Sequence, residues 1–525
     1  MTFASQRRGD DGLEFDSGLD RAAGLLLVLA AVLLAVCSVQ AGITFDEPEC
    51  AANGRRILRF WLDGGSGYDA TAADLMRYQG GAFDLPCAVV ERLVPFPAHH
   101  VRHAFTSCAA LLLAFATWRL GRTAGGSLAG LAALGLLLLL PGFWAHGTNN
   151  PKDIPFAAGA ACSLWLLLRL VPRLPQVRWH EALLLGSVLG ATTGARVGGF
   201  LFAGIGAVLL FACTIAEARV IGPRAALRAA IASGCWIVLG FCAVLAVVWP
   251  WILESPLARI RESLAVASSY PWPDTLLFEG NALRLHEVPW TYVPVMLSAT
   301  APMGLALVWS VGVACAGFTR ARLAALLCFA AAVIPVGLVL AGHGFLYDGL
   351  RHLFFVVPAL AVLGGLGCAR AAQLLPRRAS AVLLLTMTAL AAWHVPTLVR
   401  LHPYEVAYFS EVRGGLAAAE GRFDTDYWVA SYREAAEWLA EHAPAKSAHH
   451  ADGRHRVKVA LRSATVAPFL PADRFVIVDA GAQADWFIAA TRWNAADRHA
   501  GREVHRIARD GVAFCIVKDL RPTPK

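Results

Sequence analysis

The chain has 525 residues, of which 57% are hydrophobic and only 16% are charged, and its formal net charge is +8. A soluble globular chain carries about 25% charged residues, so this composition argues against a string of soluble domains. It also excludes a disordered chain, a collagen-like repeat and a small disulfide scaffold. The composition therefore predicts an α-helical polytopic membrane protein.

Apolar segments of about 20 residues, the length that crosses a bilayer, recur through the first 400 residues. We predict eleven membrane-spanning helices, at approximately 22–42, 101–120, 127–145, 154–171, 181–195, 198–217, 229–251, 290–317, 323–341, 352–369 and 380–399. No apolar run of that length follows Arg400. The predicted architecture is thus a transmembrane domain of residues 1–400 and a small, water-facing α/β domain of residues 401–525.

Arginines in short loops predict the orientation, because cytoplasmic loops carry an excess of Lys and Arg. With the N-terminus in the cytoplasm, these loops hold almost no acid but many arginines: Arg7, Arg8, Arg21, Arg119, Arg122, Arg169, Arg173, Arg178, Arg219, Arg224, Arg228, Arg320, Arg322, Arg370, Arg377 and Arg378. Eleven spans then place the C-terminal domain outside. That domain has 17 basic and 16 acidic residues, so most of the positive charge is a topology signal and not a nucleic-acid footprint. We find no cleavable signal pattern and expect the first span to be retained.

The first outer loop, residues 43–100, is long and begins with the acid pair Asp46 and Glu47. Its stretches 51–62 and 85–94 mix arginines with large apolar residues, a pattern typical of interfacial amphipathic helices. The loop also carries Cys50 and Cys87 on the side that faces an oxidising compartment. Two interpretations stay open, a disulfide between these cysteines or two buried free thiols.

Three further outer segments carry charged residues at the ends of predicted spans. Lys152 and Asp153 stand between two prolines, Arg196 lies among glycines, and Arg351 and His352 follow Tyr347 and Asp348. Charged groups at a membrane boundary are costly to bury, so their grouping on one face indicates a functional site. Lys152, Arg196 and Arg351 are candidate ligands for a phosphate. The acids Asp46, Glu47 and Asp153 offer either a general base or a site for a divalent metal.

The C-terminal domain shows the pattern of a small α/β fold. Residues 431–442 predict an amphipathic helix, and five short apolar segments predict strands at 457–461, 475–478, 486–490, 505–508 and 513–517. Asp510 and Gly511 between the last two strands are a hairpin signal.

An ordered set of motifs runs through almost the whole chain. The set comprises Phe45-Asp46-Glu47-Pro48, Asn150-Pro151-Lys152-Asp153-Ile154-Pro155, Thr193-Gly194-Ala195-Arg196-Val197-Gly198-Gly199, Phe278-Glu279-Gly280 with Pro289-Trp290-Thr291-Tyr292, Tyr347-Asp348-Gly349-Leu350-Arg351-His352, His402-Pro403-Tyr404, and Phe423-Asp424-Thr425-Asp426-Tyr427-Trp428. In this order the motifs resemble those of the GT-C membrane glycosyltransferases of family 39, which include protein O-mannosyltransferases and bacterial aminoarabinose–lipid A transferases.

The resemblance implies a glycosyltransferase of the bacterial inner membrane that takes a sugar from a polyprenyl-phosphate donor and inverts its anomeric carbon. Asp46 matches the family's catalytic acid, Glu47 its partner, and Asp153 a second acid near the active site. Tyr347, His352 and Glu279 are candidate substrate-binding residues. If the acceptor is itself a phosphate, no general base is required, and Asp46 would orient the acceptor instead.

A second hypothesis is a non-catalytic binder or transporter of the lipid-linked sugar. A transporter has its functional ionisable residues near the bilayer midplane, whereas here they lie at the outer rim, which favours an enzyme. The expected partners are membrane lipids, the polyprenyl-phosphate sugar and an acceptor that the sequence does not identify. No cofactor is evident from the sequence, and a divalent metal stays open.

Overall fold

The computed structural model describes residues 17–65, 68, 75–317, 319, 321–341 and 346–522. Arg7, Arg8 and Arg320, three of the arginines used to predict orientation, lie outside these residues. The helices, in chain order, are α1 (Ser17–Gln40), α2 (Glu47–Leu62), α3 (Asp84–Leu93), α4 (Ala98–Leu138), α5 (Pro141–Gly147), α6 (Asp153–Leu170), α7 (Trp179–Ala195), α8 (Phe200–Ile221), α9 (Pro223–Val248), α10 (Pro256–Ser268), α11 (Tyr292–Thr300), α12 (Met303–Ala316), α13 (Arg322–Leu340), α14 (Val357–Leu374), α15 (Arg377–Ala392), α16 (Val395–Leu401), α17 (Gly415–Ala419) and α18 (Tyr432–His442).

The helical, polytopic fold class is confirmed, and every predicted span contains helix. Among the described residues, eight helices are long and apolar enough to cross a membrane, or nine when α11 and α12, which meet at a bend of 118°, count as one span. The predicted count of eleven differs for two reasons. Helix α7 has only 17 residues, and α4 counts once although it holds the spans predicted at 101–120 and 127–145 as two helices on either side of a break at Gly125 and Gly126.

The joint inside α4 is a tight reversal at two glycines. Gly126 has φ of +86°, a left-handed conformation that only glycine adopts without strain. Beyond it the chain packs back on itself so closely that a Cβ at Gly121 would lie 3.0 Å from the carbonyl oxygen of Ala129. Small residues along both arms permit this approach, as they do where membrane helices pack tightly. The element is therefore a hairpin of two packed helices, which correspond to the two predicted spans.

The strands form a small hairpin and one five-stranded sheet. The hairpin pairs β1 (Leu276–Phe278) with β2 (Asn281–Leu283), and the sheet contains β3 (His455–Val459), β4 (Phe475–Ile477), β5 (Trp486–Ala490), β6 (Arg502–Arg509) and β7 (Val512–Asp519). The strand order is β4-β3-β5-β7-β6, with β3 parallel to β4 and β5 and the other pairs antiparallel. Asp510 and Gly511 both have positive φ, as the predicted β6–β7 turn requires.

The C-terminal sheet is fastened to the ends of the membrane helices. Its apolar core is continuous with residues from the outer segments, including Leu276, Tyr292 and Leu353. Arg433 of α18 donates to the backbone carbonyls of Val39 and Ala41, which close the last turn of α1. The protein therefore has one body of apolar helices, and the C-terminal sheet covers the end where the loops predicted to be outer emerge.

Candidate active site

Four chain segments place their charged residues together at that covered end. Asp46 precedes α2, Lys152 and Asp153 begin α6, Arg196 follows α7, and Arg351 opens a 3-10 turn that leads into α14. We call these five residues the outer cluster. Their common position follows from topology, because each lies where a helix of the apolar body ends or begins.

Local structure fixes the α6 end of the cluster. The side-chain oxygen of Asn150 accepts from the backbone N–H groups of Lys152 at 3.1 Å and Asp153 at 2.8 Å. The Asn150 amide donates to the Asp153 carboxylate over 2.8 Å. This asparagine turn satisfies backbone donors at a helix start. It therefore sets the direction of both charged side chains.

Glycine shapes the turn that carries Arg196. A Cβ on Gly199 would lie 2.4 Å from Cα of Thr193, so only glycine permits the chain to fold back there. The turn directs Arg196 Nη2 to within 2.5 Å of Asp153 Oδ1. Its Nε atom is buried and has no hydrogen-bond partner within the described part of the chain. Arg196 can therefore accept a further anionic ligand.

Arg351 is the centre of the outer cluster. Its Nη1 atom lies 3.5 Å from Asp46 Oδ2 and 3.3 Å from Asp153 Oδ2, and its Nη2 atom lies 3.3 Å from Asp348 Oδ2. The side chain is only 2% exposed. Three carboxylates offset the cost of burying one guanidinium. Arg351 thus fixes the relative positions of Asp46 and Asp153.

Asp46 and Lys152 form the more accessible edge of the cluster. Lys152 Nζ lies 3.8 Å from Asp46 Oδ2, and the two side chains are 14% and 17% exposed. Burial alone would raise the pKa of Asp46, but Lys152 and Arg351 outweigh it and hold that pKa below its usual value. Burial would lower the pKa of Lys152, yet Asp46 holds it above its usual value. Both groups are therefore charged at neutral pH.

Glu47, the neighbour of Asp46, faces away from the outer cluster. Its carboxylate accepts from the Thr44 backbone N–H at 2.7 Å and lies 3.0 Å from His103 Nε2. The other ring nitrogen of His103 is 3.1 Å from the carbonyl oxygen of Ser38. Glu47 is 2% exposed. The structure therefore places it between α1, α2 and α4, where it holds the three elements together.

Aromatic side chains line one side of the cluster. Tyr347 stacks on Trp272 with ring centroids 4.5 Å apart, and its ring lies 5.0 Å from the Arg351 guanidinium carbon. His352 lies 4.5 Å from Tyr347, and its buried Nδ1 has no hydrogen-bond partner among the described residues. Burial raises the pKa of Tyr347, so its hydroxyl keeps its proton. The structure thus brings the predicted residues Tyr347 and His352 to the cluster.

Glu279 is not brought there by any contact of the described structure. It lies in the β1–β2 turn with φ of +48°, and its carboxylate pairs with Arg413 and Arg422, each at 3.2 Å. A hairpin turn leaves its side chain pointing to the rim of the fold, where two C-terminal arginines are in reach. Glu279 therefore ties the hairpin to the C-terminal region.

The two loop cysteines are free thiols in the structure, so the disulfide alternative is not realised. Cys50 lies on α2 and Cys87 on α3, and both are completely buried. The sulfurs act as small apolar groups where the two helices pack, as free cysteines commonly do.

Two residues of the site were not predicted as site residues, Asp348 and Arg492. Arg492 follows β5 in the C-terminal sheet and donates to Asp348 Oδ1, while Asp348 Oδ2 faces Arg351. Asp348 belongs to one of the sequence motifs, but the sequence does not reveal that its side chain points towards Arg351 and Arg492. Arg492 stands in an ordinary polar turn, and only the docking of the sheet brings it near the cluster.

The carboxylates of the outer cluster do not fit as ligands for a divalent metal ion. Both carboxylates are paired with cations, Asp46 with Lys152 and Arg351, and Asp153 with Arg196 and Arg351. A hard metal ion requires several free oxygen ligands. Within the described ranges, no group of three or more His, Cys, Asp or Glu side chains is arranged to hold a metal ion.

No protein-family model and no curated protein matches the sequence. Among solved structures, the chain is similar to ArnT from Cupriavidus metallidurans bound to undecaprenyl phosphate, with 14% identity over 95% of this chain and 99% of that one and a TM-score of 0.49. It is also similar to the oligosaccharyltransferase AglB from Archaeoglobus fulgidus in complex with an inhibitory peptide and a dolichol-phosphate, with 11% identity, 89% and 69% coverage and a TM-score of 0.45.

A third similar structure is the arabinofuranosyltransferase AftD from Mycobacteria, with 14% identity over 95% of this chain and 42% of that one and a TM-score of 0.43. These neighbours are GT-C glycosyltransferases, the class that the ordered motifs resemble. At these identities and TM-scores the likeness assigns no activity to the chain. The case for a function rests on the outer cluster.

Proposed function

We propose that the chain is a membrane glycosyltransferase that moves a sugar from a polyprenyl-phosphate donor to an acceptor on the outer face of the membrane. The observation that carries the proposal is the convergence of three cations, Lys152, Arg196 and Arg351, on Asp46 and Asp153 at one end of the apolar helices. These five residues carry one excess positive charge, which suits a singly charged phosphodiester. A lipid-linked substrate reaches such a site from within the bilayer.

The donor phosphate is bound by Lys152 and Arg196. Their side chains are the accessible cations of the cluster, and Arg196 Nε is without a hydrogen-bond partner among the described residues. Charge-assisted hydrogen bonds from these groups hold phosphate oxygens strongly. Arg351 is buried and pairs with three carboxylates, so its main role is to position the other charged residues and not to bind the phosphate.

Asp46 acts on the acceptor. An acceptor hydroxyl oxygen attacks the anomeric carbon of the sugar from the face opposite the phosphate, and its proton passes to Asp46. The bond from the anomeric carbon to the phosphate oxygen breaks, and the polyprenyl phosphate leaves with the electron pair, so the anomeric carbon is inverted. When the phosphate engages Lys152, Asp46 loses a partner that lowers its pKa and becomes a stronger base.

Asp153 holds the cations in place. It is 2% exposed and pairs with both Arg196 and Arg351, which leaves no carboxylate oxygen for an acceptor. Glu47 has a similar supporting role on the opposite side of the acid pair. We therefore assign proton transfer to Asp46 and positioning to Asp153 and Glu47.

The acceptor is a lipid, glycan or protein on the outer side of a bacterial inner membrane. In this assignment the N-terminus is cytoplasmic and the C-terminal region is extracytoplasmic. The C-terminal sheet covers the end of the helices at which the cluster lies, so it also borders the approach of the acceptor.

Binding of undecaprenyl phosphate, the carrier left after transfer, tests the donor assignment. Purified protein in lipid nanodiscs should bind this lipid, and Lys152→Met or Arg196→Met should weaken binding at least about tenfold, the loss of one charge-assisted contact. Arg400→Met is the control, because Arg400 is 57% exposed and pairs at 3.6 Å with Asp510, outside the cluster.

Equal binding by all three variants would contradict the assignment. Sugar transfer is then followed in membranes supplied with a labelled polyprenyl-phosphate sugar. The membranes themselves supply the acceptor. Binding without any transfer would favour the binder or transporter hypothesis.

A further inference from the structure

Arg492 is a buried cation that the C-terminal sheet contributes to the site. Its side chain is 5% exposed. Nη2 donates to Asp348 Oδ1, Nη1 donates to the carbonyl of Tyr427, and Nε lies 3.7 Å from Asp424 Oδ1. A charge so deeply buried persists only with such partners. The turn after β5 is therefore locked against the outer segments of the membrane body.

Asp348 links Arg492 to the centre of the outer cluster. Its Oδ1 faces Arg492, and its Oδ2 lies 3.3 Å from Arg351 Nη2. Asp348 has φ of +56° and Gly349 has φ of +73°, so the turn holds the carboxylate in one direction. The second Arg351 nitrogen, Nη1, is the one that faces Asp46 and Asp153. A displacement of Asp348 would thus rotate the guanidinium away from both acids.

The turn that carries Arg492 is held by further contacts. Trp493 and Asn494 both have positive φ, at +54° and +50°, a conformation that needs external support. Trp493 Nε1 donates over 2.6 Å to the carbonyl of Thr275, and the Arg492 guanidinium carbon lies 4.1 Å from the Trp493 ring centre. Arg492 also faces Trp272, at 5.8 Å from its ring centre, and Trp272 stacks on Tyr347. Two contact paths therefore run from this turn to the cluster.

We propose that Arg492 is a positioning residue for the donor-phosphate site: by holding Asp348, it sets the direction of Arg351, which aligns Asp46 and Asp153. This inference rests on the proposed function. It makes the C-terminal sheet part of the site, so that donor binding depends on how the sheet is docked. Arg492 itself does not touch the donor.

The experiment measures the dissociation constant for undecaprenyl phosphate on purified full-length protein in nanodiscs. Arg492→Met should raise it at least tenfold, and Arg492→Lys, which keeps the charge and one donor, should raise it less. Arg474→Met is the matched control, because Arg474 donates to the carbonyls of Ala440 and Ala443 and does not reach the cluster.

A double variant separates positioning from a general loss of structure. In Arg492→Met, Arg351 is the one remaining ion-pair partner of Asp348 among these two arginines. Asp348 then attracts the Arg351 guanidinium away from Asp46 and Asp153. Adding Asp348→Asn removes that pull, so the double variant should bind several times more tightly than Arg492→Met alone. If Arg492 had only a structural role, the fold-losses in binding caused by Arg492→Met and by Asp348→Asn would multiply in the double variant. If Arg492→Met does not fold, as judged by size-exclusion chromatography, Arg492→Lys and Asp348→Asn supply the comparison with wild type.

Unchanged binding in Arg492→Met, or in both Arg492→Lys and Asp348→Asn, would overturn the inference while leaving the proposed function intact. Multiplying losses in the double variant would do the same. Wild-type protein that does not bind undecaprenyl phosphate at all would overturn the proposed function itself, and this inference with it.

Discussion

Two charged regions lie on either side of the acid pair, and they differ in their access to solvent. On the Asp46 side is the outer cluster, in which Asp46, Lys152 and Arg196 keep 14–19% of their side-chain surface exposed. On the Glu47 side is a buried network that contains Glu47, His103, Asp84, Arg102 and Glu91. Every side chain of that network is at most 10% exposed.

The buried network consists of two ion-paired groups, and among the described residues only Glu91 also pairs with an exposed side chain, that of Arg55 at 3.4 Å. Arg102 Nε lies 2.6 Å from Glu91, its Nη1 lies 3.3 Å from Asp84, and Glu47 faces His103. Burial raises the pKa of Asp84 in spite of the nearby Arg102. Buried charge alone therefore does not mark a functional site in such a protein. A group of charged side chains that is partly exposed to solvent indicates a reactive site. A group that is fully buried indicates a structural role.

Removal of Arg351 should have the largest effect and would break the outer cluster. Arg351→Met leaves Asp46, Asp153 and Asp348 close together without their shared cation. Breaking a buried ion pair from one side costs about 3–5 kcal/mol. We expect that loss in unfolding free energy together with undetectable transfer. The unfolding free energy and the transfer rate are measured on the same preparation of the variant. Near-normal transfer would show that the outer cluster does not depend on Arg351.

Glu47→Gln should have a smaller, purely structural effect. The amide keeps the shape but weakens the charge-assisted contact with His103, which we expect to cost about 1.5–3 kcal/mol of unfolding free energy. Transfer per folded molecule should stay within about threefold of wild type. The measurement is the transfer rate divided by the folded fraction, and a loss of a hundredfold would place Glu47 in the chemistry after all.

The smallest effect concerns pH. Asp46 has a lowered pKa, so its contribution to stability is present above its unfolded-state value, about 3.9, and is lost as pH falls through the folded-state value. Lys152 has a raised pKa, so its contribution is present below about 10.4 and is lost at higher pH. We predict that the stability difference between wild type and Lys152→Met is constant from pH 5 to 9.

Denaturation of both proteins at several pH values measures that difference. Their curves should converge only when Asp46 is protonated at low pH or Lys152 is deprotonated at high pH. A step in the difference near pH 6 or 7 would mean that one of the two groups is uncharged in the folded protein.

Much of the outer cluster could be predicted from the sequence because its members stand at the ends of apolar segments. Lys152, Asp153, Arg196 and Arg351 are conspicuous there, since charged groups at such depth are costly without a purpose. The direction of a side chain is a different matter. Successive residues at a helix start are turned by about 100°, which is why Asp46 and Glu47 face opposite regions although the sequence shows them as one pair.

The remainder depended on contacts between distant segments. Arg492 reaches Asp348 across 144 positions of sequence, and only the docking of the C-terminal sheet creates that pair. The separation of Cys50 and Cys87 is likewise set by how α2 and α3 pack, which spacing in the sequence does not reveal. The count of long apolar helices is lower than eleven because α7 is short and because the two predicted spans within α4 follow each other directly through a glycine turn.

The catalytic role of Asp46 is tested by comparing Asp46→Asn with Glu47→Gln in one transfer assay with a labelled polyprenyl-phosphate sugar. A general base contributes about 10²–10⁴-fold to a rate. We predict that Asp46→Asn lowers transfer at least a hundredfold while undecaprenyl phosphate binding stays within about threefold, and that Glu47→Gln keeps transfer per folded molecule. Undiminished transfer by Asp46→Asn would contradict the assignment of chemistry to the outer cluster.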